Sequence, residues 1–113
     1  MIITFKTRKL KNILDSSRDI IRVYGEVRGK KIMNRLSVLR AVTCLEEVPV
    51  EKPDRRHELS HQRKGQFAVD ITRNCRLIFE PNNNPIPLRK DGGLDLWKIT
   101  EIKILEVEDY HSD

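Results

Sequence analysis

The feature that most limits how this chain can fold is a change of apolar period near Gln66. Before it, apolar residues recur at three- and four-residue steps. After it, they recur at every second position. A segment written in one period cannot present a continuous apolar face in the other secondary structure. The first half must therefore supply helices, the second half strands, and the core must lie where the two meet.

Ile2-Ile3-Thr4-Phe5 is β-branched and aromatic and reads as a short first strand. Thr7 to Leu14 carries apolar residues at 10, 13 and 14, a helical spacing. Asp15, Ser16 and Ser17 break it and cap a second helical turn or two through Tyr24, with Ile20, Ile21 and Tyr24 on the buried side. Gly25 and Gly29 bracket a loop or bend. The main helix is predicted from Lys30 to about Glu47. Ile32, Leu36, Leu39, Val42 and Leu45 form its stripe, with Lys30, Lys31, Arg35 and Arg40 mostly off it. Val48-Pro49 ends it, because a residue before proline is driven out of the α region.

Beyond Gln66, Phe67, Val69 and Ile71 alternate on one face, and Cys75, Leu77 and Phe79 do the same after a tight turn at Thr72-Arg73-Asn74. Asn74 suits that turn through its tolerance of positive φ. Pro81 to Asp95 is a fifteen-residue loop, long for a hairpin connection. Trp97 to Glu108 is the last strand. Its apolar positions slip from odd (Trp97, Ile99) to even (Ile102, Ile104) and back to odd (Leu105, Val107), which marks a bulge or bend. The expected architecture is α+β: one small domain over 1–113, with the N-terminal strand and helices packed on one face of a mostly antiparallel four-stranded sheet. The other face is left for binding.

A formal charge of +5 favours an anionic partner, nucleic acid first. The charge concentrates in Arg55-Arg56-His57-Glu58-Leu59-Ser60-His61-Gln62-Arg63-Lys64, which feeds the strand at Gln66. No run approaches a membrane span, and the apolar start is too short for a signal-peptide core. Cys44 and Cys75 are isolated, with no C-x-x-C, and read as ordinary reduced core residues of a cytoplasmic protein.

Cleavage of RNA without metal needs a base for the ribose 2′-OH, an acid for the leaving 5′-oxygen, and cations against the developing charge. His57, His61 and His111 are the candidates for proton transfer, and Arg56, Arg63, Arg73 and Arg76 for the cation. Asp109 would fix a histidine tautomer, and Tyr110 would stack on a base or donate a hydrogen bond. A metal site fits poorly, because the histidines are scattered and no acid cluster surrounds them. No cofactor motif is present: Gly92-Gly93 has no following helix.

His57-x-Leu59, Arg63-Lys64-Gly65-Gln66-Phe67-Ala68-Val69, Asn74-x-Arg76-Leu77-Ile78-Phe79 and the closing Glu108-Asp109-Tyr110-His111 resemble the HigB-type killer proteins of bacterial toxin–antitoxin pairs, members of the RelE/ParE superfamily. The resemblance implies a microbial-ribonuclease-like fold and a toxin that cleaves mRNA in the ribosomal A site. It implies inhibition by a HigA-like helix-turn-helix antitoxin, the pair meeting operator DNA through the antitoxin. It places His57, Arg76, Asp109, Tyr110 and His111 in the catalytic group, with His57 or His111 as acid and base. Arg55, Arg56, His61, Arg63, Lys64 and Arg73 would hold RNA. Two departures stand out. Ser60-His61 replaces the Lys-Gly that often follows His-x-Leu, and the Pro81–Asp95 loop is an addition. Some superfamily members poison DNA gyrase instead, and a decayed co-repressor is a third reading.

Overall fold

The computed structural model describes residues 1–110. Its elements are β1 (Ile2–Phe5), α1 (Arg8–Leu14), α2 (Ser17–Tyr24), α3 (Glu26–Ala41), β2 (His57–Glu58), β3 (Phe67–Thr72), β4 (Cys75–Pro81) and β5 (Glu101–Asp109). The strands form one sheet in the order β1-β5-β4-β3-β2. β1 runs parallel to β5, and the other neighbours are antiparallel. The helices lie on one face, as the apolar periods require. The sheet has five strands rather than four. The added one, β2, is two residues long, and two residues cannot display an alternation.

The N-terminal helices follow their caps. Thr7 Oγ1 accepts from the Leu10 N–H at 3.1 Å and Ser16 Oγ from the Asp19 N–H at 3.2 Å. Gly25, at φ 86°, separates α2 from α3, a conformation that costs glycine little. Gly29 does not bracket a bend. It is buried inside α3, and a Cβ there would stand 3.1 Å from Ile21 Cδ1 and 3.3 Å from Ile20 Cγ2. The missing side chain lets α2 and α3 approach closely.

α3 begins four residues before Lys30 and ends at Ala41, short of Glu47. The chain leaves the helix because tertiary partners replace the bonds of its last turns. The Leu45 N–H donates to Ile99 O at 2.9 Å, and Glu47 accepts from the Thr43 N–H at 2.8 Å. Leu45 and Val48 are thereby buried, from a 3-10 turn rather than from the helix stripe. Arg35 departs from its expected place too. It is buried, donating to Asp70 O and, at 2.8 Å, to Asn34 Oδ1, with Asp54 nearby at 3.9 Å.

Ile32, Leu36 and Leu39 of α3 meet Phe67, Val69, Leu77, Phe79, Ile102 and Ile104 of the sheet to form the core. Cys44 and Cys75 are free and buried. The β3–β4 turn holds neither Arg73 nor Asn74 at positive φ; among the described residues, the non-glycine positions with positive φ are Arg55 and His61. A register shift between Asp70 and Thr72 absorbs the twist instead. The parity slip in the last strand is a true bulge: Ile78 pairs with Glu106 and Phe79 with Ile104, leaving Leu105 over.

β5 starts at Glu101, and Trp97 is exposed in a 3-10 turn. The preceding loop is tied down. Asn83 Oδ1 accepts from the Thr100 and Glu101 N–H groups at 3.0 and 3.1 Å, and Leu88 bridges Leu94. No helix among the described residues is long and apolar enough to cross a membrane.

Candidate active site

The face of the sheet turned away from the helices carries the polar groups. In β3 and β4 the core takes Phe67, Val69, Ile71, Cys75, Leu77 and Phe79, so Asp70 and Arg76 point the other way. The register sets Asp70 beside Arg76 and Arg76 beside Glu108. One step along, His57 stands beside Ala68, Ala68 beside Ile78, and Ile78 beside Glu106. Leu59, Ala68, Ile78 and Leu105 form a small apolar floor on this side. The site is therefore a polar ring around a greasy patch, built from segments far apart in sequence.

Its arginines are all engaged. Arg76 binds Glu108 Oε1 through Nε at 2.9 Å and a terminal nitrogen at 2.8 Å. Arg63 reaches Glu106 at 2.9 Å, Glu108 Oε2 at 3.2 Å and Gln66 Oε1 at 2.7 Å. Arg55 grips Asp70 at 2.6 and 3.1 Å. The Tyr110 ring lies against Arg76, with Cζ 4.8 Å from the ring centroid, and the Tyr110 N–H donates to Asn74 O at 2.7 Å. Burial works against charge on Glu108, but the Tyr110 hydroxyl, Arg76 and Arg63 outweigh it and hold the carboxyl below its ordinary range. The same burial, together with the hydrogen bond to Glu108, pushes the Tyr110 hydroxyl up.

His57 Nδ1 sits 2.8 Å from Arg55 O. A carbonyl can only accept, so the neutral ring carries its proton on Nδ1 and leaves the Nε2 lone pair available. That tautomer takes a proton at Nε2, and the imidazolium gives one back from the same atom.

Of the residues picked from sequence, His57, Arg76, Tyr110, Arg55 and Arg63 converge on this face. Asp109 does not. It faces the helices and pairs with Arg28 of α3. Arg56 turns inward, its side chain 8% exposed, and donates to Val48 O and Glu46 Oε2 at 3.0 Å each. It fastens the connector to the body of the domain. His61, Lys64 and Arg73 are exposed at the rim. His111 lies outside the described residues. Lys64 and Gly65 face the inserted loop across a cleft of about 570 Å³ walled by Arg89 and Leu94.

The reading from sequence missed Glu106, Asp70 and the role of Glu108. The signal for them was parity, since 106 and 108 share a strand face, and so do 68 and 70. Among the described residues no group of three or more His, Cys, Asp or Glu is placed to hold a metal ion.

This five-stranded, helix-backed sheet is the fold of the YoeB/ParE type of toxin. The chain is similar to the solved YoeB/ParE toxin from Agrobacterium tumefaciens, at 8% identity and a TM-score of 0.58, with 98% of this chain and 100% of that one covered. It is also similar to the YoeB-YefM complex from Staphylococcus aureus (18% identity, TM-score 0.54, 99% and 98% covered). The YoeB dimer from the same organism aligns comparably (16% identity, TM-score 0.55, 99% and 98% covered). No family model matches the sequence, and no curated protein matches it either. The fold likeness is thus to the YoeB/ParE type and does not single out HigB.

Proposed function

We propose that this protein is the toxin of a type II toxin–antitoxin pair. In this reading it is an endoribonuclease that cuts mRNA in the ribosomal A site and so blocks translation. The observation that carries this reading is His57, with Nε2 available, on the same sheet face as the Tyr110-backed Arg76. The two backbone positions are two strands and one pleat apart, on the order of 12 Å, with Arg76 held toward Glu108 on β5. A histidine removes the 2′-OH proton, and the 2′-oxygen attacks phosphorus. The 5′-oxygen leaves with a proton from a second donor, and a 2′,3′-cyclic phosphate remains. His57 and His111 share these proton roles, Arg76 meets the phosphoryl oxygens, and Tyr110 positions the nucleotide. A carboxylate already occupies each arginine, so the free protein would hold RNA weakly at this face. That suits a substrate delivered by the ribosome.

The antitoxin in this reading is a HigA-like helix-turn-helix protein. One of the similar structures is a YoeB-YefM complex, which fits a toxin of this fold binding a protein partner. Expression of the protein with mapping of cellular mRNA 5′ ends tests the proposal. Growth arrest with new ends inside translated codons is expected, and both are lost in Arg76→Ala and His57→Ala. Arrest with intact mRNA, or arrest that survives Arg76→Ala and His111→Ala unaltered, would overturn it; damaged DNA in place of cut mRNA would favour a gyrase poison.

A further inference from the structure

A cluster of cations free to meet a polyanion lies around the corner from the polar face. A pocket of about 530 Å³ opens at the β3 side of the sheet, lined by Lys31, Lys52, Pro53, Asp70, Thr72 and Arg73, with Arg35 at its floor. Lys31, Lys52 and Arg73 are exposed and make no ion pair within the described residues. Arg35 is fixed by Asp70 O and Asn34 Oδ1 and balanced by the buried Asp54. Asp70 in turn is neutralised by Arg55. The three rim cations are therefore uncompensated, whereas Arg55, Arg63 and Arg76 each face a carboxylate.

We propose that this pocket binds the phosphodiester backbone of single-stranded RNA beside the scissile nucleotide. The proposal rests on the nuclease reading and adds a substrate-binding surface to it. Continuity with the site supports RNA over an acidic peptide. Asp70 lines the pocket and pairs across the strands with Arg76, while Arg73 adjoins Asn74, whose carbonyl holds Tyr110. A strand leaving Arg76 and Tyr110 in that direction passes from an internally neutral surface to a positive one. The exposed Pro53 gives a sugar or base an apolar ledge.

The test is fluorescence anisotropy with a short 2′-O-methyl RNA oligonucleotide, which binds but cannot be cut, titrated against salt. Replacing Lys31, Lys52 and Arg73 together by Ala should lower affinity about tenfold. It should also flatten the plot of log affinity against log salt by roughly 2, about 0.7 for each phosphate no longer neutralised. A charge-matched control removes Lys6, Arg8 and Lys9, at the opposite, β1 edge, and should change little. In the unsubstituted protein, NMR titration with the same oligonucleotide should move the Lys31, Lys52 and Arg73 signals first. Unchanged affinity and slope, equal losses in both triple variants, or loss of binding to a poly-glutamate peptide alone would each overturn the proposal. No step of this readout requires cleavage, so it can fail while the nuclease reading stands, and the reverse.

Discussion

Glu108 holds Arg76 through one carboxylate oxygen and Arg63 through the other, so a single acid sets the spacing of two arginines. The two guanidinium groups arrive from different places, one from β4 and one from the 3-10 turn before β3. What joins them is the β4–β5 register, which pairs Arg76 with Glu108.

Removing that acid should separate binding from chemistry. Glu108→Gln releases charge from Arg76 and Arg63, and affinity for an uncleavable RNA should rise while cleavage falls. Arg76→Ala should cost cleavage about 10²–10³-fold, the scale of removing one charge-stabilising donor. Arg76→Lys should recover little, since an ammonium lacks the planar fork. Single-turnover cleavage on programmed ribosomes, set beside the anisotropy assay, measures both quantities. Equal falls in binding and cleavage for Glu108→Gln would contradict the assignment.

Glu108 also predicts an acid limb in stability. Its carboxyl lies below its ordinary value in the folded protein, so its contribution is complete above that value, 4.5, and disappears as the pH falls through the lower folded value. The stability gap between wild type and Glu108→Gln should therefore be constant at neutral pH and close below about pH 4.5. Urea melts across pH give the answer directly.

Arg56 should behave as a structural residue. Its guanidinium is occupied by Val48 O and Glu46, so Arg56→Met should lower Tm by an amount matching about 1.5–3 kcal/mol for each charged hydrogen bond removed. RNA affinity and its salt slope should not move. A variant that melts normally but binds RNA poorly would return Arg56 to the interface.

Gly29→Ala places a methyl 3.1 Å from Ile21 Cδ1 and 3.3 Å from the Ile21 backbone. Overpacking of this kind costs about 1–3 kcal/mol. In an isolated helix the same change would stabilise, because alanine is the better helix former. A thermal melt decides which effect wins, and the close approach to Ile21 Cα says the packing cost does.

The sequence by itself determined the classes of element and the faces they bury. Alternation through Phe67, Val69 and Ile71 named the strand and its core side, and the slip at Leu105 located the bulge, because both are local consequences of a period of two. The resemblance named His57, Arg76 and Tyr110 together; the register puts His57 and Arg76 on one sheet face, and Tyr110 lies against Arg76. Only the tertiary structure decided which charges act. Arg35 and Arg56 look like surface cations until neighbouring segments bury them, and the pairing of Asp109 with Arg28 of α3 shows only in the folded chain. Glu108 shows its role only when β5 lies beside β4. Side-chain direction follows from local geometry, whereas charge compensation depends on which distant strands are neighbours, and periodicity does not record that.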